Sequence, residues 1–262
     1  MSIFSFLKTF KSVKRIYQRE IREQFSKMEV SQDIITEEDI SHLPDPVQRY
    51  FRYTGWIGKE KVYNAMIRWE GLIKMKPDKK FIKLKSSQYN FTSPPARIVH
   101  LKNIIIGGRD KYIDGRGNML IKLLSRFTVA NESGEHMDRS ALITYLNDIC
   151  LLVPGALFDD RISWKAMDTK SAEVIIRDSG YTVSAVLHFN DDGALINFVT
   201  HDRYMDNMYE PVKWSTPVSD YKDFNGINIP GKGAAIWHLE EGDFLYVKFN
   251  LMDIKYNLKN WD

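Results

Sequence analysis

The clearest helical pattern in this chain lies between residues 134 and 158. Apolar residues recur there at steps of three or four, which places them on one face of a helix; they are Leu142, Tyr145, Leu146, Ile149, Leu152 and Val153. Asp138 is a good N-cap residue, and Pro154-Gly155 ends the pattern. The last turn is apolar on all sides. The pattern therefore predicts a central helix over residues 139–153 that other elements enclose.

The segments on either side of this helix alternate between apolar and polar residues. From residue 62 to 75, and again from 181 to 189, the alternation has the period of a strand with one buried face. Turn sequences such as Asp114-Gly115 and Asn225-Gly226 separate the strands. About twelve strands are expected, roughly five before the helix and seven after it. The predicted fold class is mainly β with helices (α+β): one large curved antiparallel sheet, or open β-barrel, wrapped around the central helix.

Residues 1–30 are predicted to form a separate element, a basic amphipathic helix. Its apolar residues are three or four positions apart, with lysines and arginines between them; they are Ile3, Leu7, Phe10, Val13, Tyr17, Ile21, Phe25 and Met28. One interpretation is that residues 3–28 lie on an anionic membrane surface. The other is that the helix packs against its own domain or a partner. Residues 31–262 are expected to form a single β-rich domain, in which residues 43–55 add a short helix.

The net charge of +3 is concentrated at the N-terminus. Residues 1–27 carry seven basic and two acidic residues, whereas the rest of the chain carries 30 basic and 32 acidic residues. A body with that balance lacks the positive surface that nucleic-acid binding requires. The N-terminal segment has neither the long apolar run of a signal peptide nor that of a membrane span. We therefore expect a cytoplasmic protein, peripheral at the membrane if the first interpretation of the helix holds.

Motifs for catalysis are absent from the sequence. It has no GxSxG, HExxH, CxxC or phosphate-binding loop, and we expect neither a metal nor another cofactor. The single cysteine, Cys150, lies in the predicted central helix, where apolar surroundings would make it a poor nucleophile. The densest polar cluster in a predicted strand is HDRY at residues 201–204. If the protein is an enzyme, Asp202, His201 and Asp148 are the candidate acid–base groups.

Several motifs follow one another in an order that resembles a bacterial protein family of unknown function. In chain order they are LPDPVQRYFRYTG, DGRGNM, TYLNDICLLVPGALF, DRY, and GINIP followed by AAIWHL. The resemblance extends over about residues 40–257 and brings no activity with it. The order of strands, a buried helix and more strands also resembles the lipoprotein-carrier (Lol-type) fold. That likeness implies an open β-barrel with helices in its mouth and an apolar cavity beneath them.

These observations favour a non-catalytic protein that holds a lipid or other apolar molecule between the curved sheet and the central helix. A sheet of about twelve strands can enclose more space than its own side chains fill. The expected wall residues are Tyr145, Trp164, Trp214 and Trp237, and the expected polar contacts are Asp202, Arg203, Tyr204 and Tyr221. The alternatives are an enzyme that works in the same cleft, and a domain with a filled interior that only supports a partner.

Overall fold

The computed structural model describes residues 12–124, 127–205 and 208–261. Its helices are α1 (Val13–Lys27), α2 (Glu37–Ile40), α3 (Asp45–Thr54) and α4 (Glu135–Leu152), and a 3-10 turn covers Pro154–Ala156. The strands before α4 are β1 (Asn64–Ile73), β2 (Ile82–Thr92), β3 (Pro95–Lys102), β4 (Ile106–Ile113), β5 (Arg116–Leu123) and β6 (Phe127–Ser133). The strands after it are β7 (Ile162–Asp168), β8 (Ser171–Asp178), β9 (Tyr181–Phe189), β10 (Leu195–Arg203), β11 (Val212–Phe224), β12 (Ile227–Leu239) and β13 (Gly242–Tyr256).

The strands form one curled antiparallel sheet in the order β6-β5-β4-β3-β2-β1-β13-β12-β11-β10-β9-β8-β7. It consists of two meanders, β1 to β6 and β7 to β13, which are joined where β1 pairs with β13. Helix α4 leads from β6 to β7, the two edges of the sheet, and so crosses its concave side. We call the face that contacts α4 the inner face and the opposite one the outer face. The fold class predicted from the sequence is confirmed.

Helix α4 is enclosed because the sheet curls around it. From Ser140 to Leu152 every residue except the partly buried Asp148 is buried. Its apolar side chains join the main core. Its polar side chains have partners as well: Thr144 Oγ1 donates to the Ser140 carbonyl at 2.7 Å, and Asn147 Nδ2 donates to Thr216 Oγ1 at 2.5 Å. Buried polar groups that are satisfied in this way cost little, so the helix can be surrounded on all sides.

The start of the central helix differs from the prediction of residue 139. The helix begins at Glu135, after Gly134 with a φ of 116°, a conformation that favours glycine. Asp138 is not the N-cap but lies within the first turn. Its Oδ1 accepts a hydrogen bond from the Gly117 backbone N–H at 2.7 Å, and its Oδ2 lies 2.9 Å from Arg116 Nη1. The Asp138 carboxylate therefore binds residues of the neighbouring strand β5 instead of capping the helix.

Close contact between β5 and α4 depends on a glycine. A Cβ atom at Gly117 would lie 2.3 Å from the Met137 carbonyl oxygen and 2.8 Å from Ala141 Cβ. The DGRG segment thus has two structural roles. Asp114 and Gly115 form the β4–β5 turn with positive φ angles, as the sequence predicted, and Gly117 allows the helix backbone to approach the strand.

The described residues contain thirteen strands rather than about twelve. The additional strand is β6, an edge strand whose residues are exposed with one partly buried exception. Its sequence shows no alternation because neither of its faces is covered. The preceding turn includes Leu124 with a φ of 49°, which the sequence does not signal because turns of this kind usually contain Gly, Asn or Asp. The boundary between β5 and β6 therefore leaves no signal in the sequence, and five strands were expected before α4 where six occur.

Among the described residues, no helix combines the length and the apolar character needed to cross a bilayer.

Candidate functional site

Helix α1 packs on the outer face of the sheet. On strand β2, Gln88 donates to Asp148 of α4, whereas its neighbour Ser87 accepts a hydrogen bond from the Tyr17 hydroxyl of α1 at 3.2 Å. Successive strand residues point to opposite faces, so the two helices lie on opposite sides of the sheet. Residues 13–27 therefore pack against their own domain, which was the second interpretation of the N-terminal helix. Residues 3–11 of the predicted membrane-binding stretch lie outside the described residues.

A buried carboxylate fixes α1 to strand β4. Glu20 Oε2 lies 3.2 Å from Arg109 Nε, and Glu20 Oε1 lies 3.3 Å from Lys111 Nζ. Burial lowers the pKa of the Arg109 guanidinium, and Glu20 offsets part of that effect. Around this group, apolar residues of the helix and the sheet form a second, smaller core, namely Tyr17, Ile21, Met66, Tyr89, Phe91, Ala96, Ile98 and Ile113. The helix is thus a fixed wall on the outer face.

A groove of about 860 Å³ lies between α1 and the β1–β4 part of the outer face. Its apolar lining consists of Tyr17, Ile21, Met66, Trp69, Tyr89, Ile104, Ile105, Ile106, Leu124, Met252 and Trp261. The volume lies within the range of sites that bind small molecules. The groove can therefore take a ligand with a substantial apolar part.

The same groove carries an excess of positive charge. Lys14, Arg68, Lys85 and Lys102 line it, together with one carboxylate, Glu70, which binds Lys85 at 2.5 Å. In the part of the chain that the structure describes, no carboxylate pairs with Lys14, Arg68 or Lys102. Three cations that surround an apolar lining and form no ion pair with a described carboxylate favour a negatively charged ligand group.

The surroundings of His100 in the groove lower its pKa, first through burial and then through nearby positive charge. Burial, with Lys102 and Lys14 nearby, lowers its pKa from 6.5 to about 4. The imidazole is therefore neutral at neutral pH, and its ring lies 5.3 Å from that of Tyr17. An anion bound between the two lysines would offset their effect and raise the pKa of His100.

Three of the side chains predicted to bind ligand lie together on the C-terminal meander. The ring centres of Trp214 and Trp237 are 6.4 Å apart, and the Arg203 guanidinium lies 4.2 and 5.0 Å from them. The Tyr246 hydroxyl, which sequence reasoning did not identify, accepts hydrogen bonds from Arg203 Nη1 at 2.6 Å and Trp214 Nε1 at 3.1 Å. Both tryptophans are buried in the main core. This cation–π cluster therefore fills interior space.

The other five predicted residues lie elsewhere. The Tyr145 hydroxyl, on α4, donates to the Phe91 carbonyl, and the Tyr221 hydroxyl donates to the Leu195 carbonyl. Trp164 is partly buried on the edge strand β7. Asp202 accepts a hydrogen bond from the Ser184 N–H, and the Tyr204 ring stacks on the His136 ring, with 4.1 Å between the ring centres. The structure thus does not bring the eight side chains together at one site. The signal that could have located the groove was the alternation of β1 to β3, which places basic residues on the face opposite the core.

The three candidate acid–base groups, Asp148, Asp202 and His201, do not lie at one site either. Asp148 lies 2.5 Å from Arg97 Nε, and Arg97 also binds Asp110. Asp202 lies 3.5 Å from Arg139, and His201 is exposed. Burial raises the pKa of the Cys150 thiol well above its ordinary value, in agreement with the expectation that it is a poor nucleophile. Asp148 and Asp202 thus form ion pairs with different arginines and His201 lies at the surface, so these three groups do not share a cleft.

A serine, a histidine and an aspartate do form a hydrogen-bonded chain that sequence reasoning missed. Ser215 Oγ lies 2.8 Å from His238 Nε2, and His238 Nδ1 lies 2.7 Å from Asp243 Oδ1. These are the contacts of a hydrolase triad. However, Ser215 is only 3% exposed and lies within the ladder of β11, flanked by Val199 and Ile236. At this exposure the Ser215 hydroxyl is not accessible to a substrate carbonyl. We therefore interpret the three hydrogen-bonded side chains as a contact between strands.

The family of the protein follows from comparison with known sequences. A model of a family of unknown function, DUF6544, matches residues 33–249. The chain belongs to this family. The resemblance inferred from its motifs is thereby confirmed. Comparison with curated proteins gave no match.

Two solved structures resemble the backbone structure of this DUF6544 protein. One is a DUF1329 family protein from Desulfovibrio piger ATCC 29098, with 12% identity and a TM-score of 0.47 over 82% of this chain and 91% of that one. The other is a LolA superfamily protein from Nitrosomonas europaea, with 10% identity and a TM-score of 0.46 over 80% of this chain and 93% of that one. At these identities and scores the similarity carries no information about ligand or activity.

Proposed function

We propose that this protein binds an amphiphilic anion, such as a fatty acid or a single-chain lipid with an acidic head, in the groove between α1 and the outer face. The proposal rests on three cations, Lys14, Arg68 and Lys102, which surround an apolar lining and pair with no carboxylate among the described residues. The class of ligand expected from the sequence, a lipid or other apolar molecule, is kept. Its location moves from the inner to the outer face.

The two parts of such a ligand match two parts of the groove. A carboxylate or phosphate head would form charge-assisted hydrogen bonds with Arg68 and Lys102, whose side chains are exposed and need not break an existing ion pair. The acyl chain would lie along apolar residues such as Met66, Tyr89 and Ile106. Each buried methylene contributes about 0.8 kcal/mol, so chain length controls affinity.

A fluorescent dansyl-labelled fatty acid tests the proposal by titration in vesicle-free solution. The double variant Arg68→Glu/Lys102→Glu is expected to weaken binding at least about tenfold, because it replaces two attractive charges with two repulsive ones. The matched control is Lys59→Glu, an exposed lysine outside the groove, which should bind as the wild type does. A fatty alcohol of the same length should compete poorly.

Two outcomes contradict the proposal. If the Arg68→Glu/Lys102→Glu variant binds the probe as tightly as the Lys59→Glu control, the groove is not the site. If the fatty alcohol competes as well as the fatty acid, the cations do not select the ligand. The interior location is tested in the same titration by Trp237→Phe, which leaves every groove residue in place and should not change the affinity.

An anionic membrane surface is the partner that this function requires, because long-chain amphiphiles reside in membranes. The basic N-terminal residues Lys8 and Lys11 precede α1 and would add to the attraction for acidic lipid heads. The apolar face of residues 13–27 is occupied by the sheet. Residues 13–27 could therefore contact a membrane only through their charged side chains. This restriction does not apply to the residues before Ser12.

A further inference from the structure

Large apolar side chains are exposed at one end of the sheet, where ordinary surface residues would be polar. Ile104 and Ile105 belong to the β3–β4 turn, Leu124 and Phe127 flank the β5–β6 turn, and Val129 follows on β6. Each is more than half exposed, and Ile104 is 98% exposed. Exposed apolar residues that occur singly need no explanation, but a cluster of them marks an interaction surface.

The two turns form one continuous patch. The Leu124 backbone N–H donates to the Ile105 carbonyl at 2.8 Å, which joins the turns directly. Strand pairing continues this contact, because Leu123 is the partner of both Ile106 and Phe127. We call this patch the apolar tip and define it by Ile104, Ile105, Leu124, Phe127 and Val129.

The apolar tip lies at the mouth of the cationic groove. Ile104, Ile105 and Leu124 line the groove as well as the patch. Lys102 is the last residue of β3, two positions before Ile104, and Lys14 lines the same groove. Protruding apolar turns with cations close behind them have the layout of surfaces that enter the boundary between lipid heads and acyl chains.

We propose that the apolar tip inserts into the surface of an anionic bilayer and directs the groove toward it. The apolar turns would enter the acyl boundary, and Lys14 and Lys102 would face the acidic heads. The proposed insertion depends only on the apolar tip and on Lys14 and Lys102. The further consequence, that an amphiphile passes from the bilayer into the groove, rests on the proposed function.

Co-sedimentation with vesicles of phosphatidylcholine, with and without phosphatidylglycerol, tests the insertion. The variant Phe127→Ser/Val129→Ser removes two tip side chains that do not line the groove. Its partitioning onto phosphatidylglycerol vesicles should fall at least about tenfold, because two apolar side chains no longer leave water. The control is Met167→Ser, which removes a similarly exposed side chain, 55% against 62% for Phe127, on the opposite edge strand β7. It should partition as the wild type does.

Three results would overturn the membrane assignment. The first is equal partitioning of Phe127→Ser/Val129→Ser and Met167→Ser. The second is equal binding of the wild type to vesicles with and without phosphatidylglycerol, which removes the part assigned to the lysines. The third is a wild-type dimer in sedimentation velocity that Phe127→Ser/Val129→Ser dissociates, since the tip would then serve a second copy of this chain.

Two variants, Phe127→Ser/Val129→Ser and the single variant Arg68→Glu, separate this proposal from the proposed function. In vesicle-free solution, Phe127→Ser/Val129→Ser should bind the dansyl fatty acid with unchanged affinity, because every groove residue is retained. Conversely, Arg68→Glu should lose affinity for the fatty acid and still sediment with vesicles through the tip. Loss of vesicle binding alone therefore supports the tip, whereas loss of fatty-acid binding alone supports the groove.

Discussion

Replacing Glu20 with Gln should loosen α1 without unfolding the sheet. The Glu20 side chain is 7% exposed and is the carboxylate partner of Arg109, which is equally buried, and of Lys111. Gln keeps the shape of the side chain and removes its charge, which leaves the buried guanidinium of Arg109 without its ion-pair partner. Removing one partner of a buried ion pair costs about 3–5 kcal/mol. Because Gln retains an acceptor oxygen, we expect about 3 kcal/mol, near the lower end of that range.

Native-state hydrogen exchange measures this cost where it arises. A loss of about 3 kcal/mol corresponds to a factor of roughly one hundred in the opening equilibrium. The amides of residues 16–27 should therefore exchange about a hundredfold faster in Glu20→Gln, while those of α4 keep their protection. The control on the same helix is Glu23→Gln. Glu23 is 56% exposed and lies 3.5 Å from Arg19, so its removal should change exchange by less than about threefold.

Two results would refute the reasoning about α1. Equal exchange in Glu20→Gln and Glu23→Gln would mean that the buried ion pair does not fix the helix. Equal acceleration in α1 and α4 would mean that α1 is not a separately docked wall but part of one cooperative unit.

Three further predictions concern the sheet and its interior. Gly117→Ala should lower the free energy of unfolding by about 1–3 kcal/mol in urea, because its Cβ would overlap the backbone of α4; an unchanged midpoint would contradict this. The NMR titration of His100 should show a pKa near 4 that rises in Lys102→Gln. Since the folded pKa lies below the unfolded value of 6.5, this group contributes no pH dependence above 6.5, and stability is lost as the pH falls from 6.5 to 4. Arg97→Met should cost about 3–5 kcal/mol at neutral pH by calorimetry, because two carboxylates lose their shared partner, whereas a cost below about 1 kcal/mol would show that the network is dispensable.

The fold could be predicted to the extent that burial on one face leaves a period in the sequence. Strand β9 has such a period, and α3 ends at Gly55 with a φ of 78°, as its sequence indicated. Helix α4 could be recognised by the spacing of its large apolar side chains, although the sheet surrounds it. Strand β6 has no period, since both of its faces are exposed. Asp138 satisfies the chemistry of an N-cap, yet β5 uses it instead. Local preference did not decide these positions, because a neighbour distant in sequence offered a better contact.

The candidate site was less accessible to sequence reasoning for a different reason. The residue type alone suggests that tryptophans line a ligand site, but a large aromatic side chain packs equally well in a core, as Trp214 does. The groove depends on which face of β1 to β3 receives α1, and that is a matter of tertiary packing. Lys102 and Arg68 lie on neighbouring parts of one face only because the register of β1, β2 and β3 places them there.

The seam between β1 and β13 has a consequence for biosynthesis. Ala65 of β1 pairs with Tyr256, a residue that leaves the ribosome almost two hundred positions later. Throughout that interval, one side of β1 is an unpaired strand edge with apolar residues, the kind of edge that recruits other chains. The nascent protein is thus vulnerable to aggregation until β13 has emerged, because without residues 242–256 the facing edges of β1 and β12 both remain unpaired.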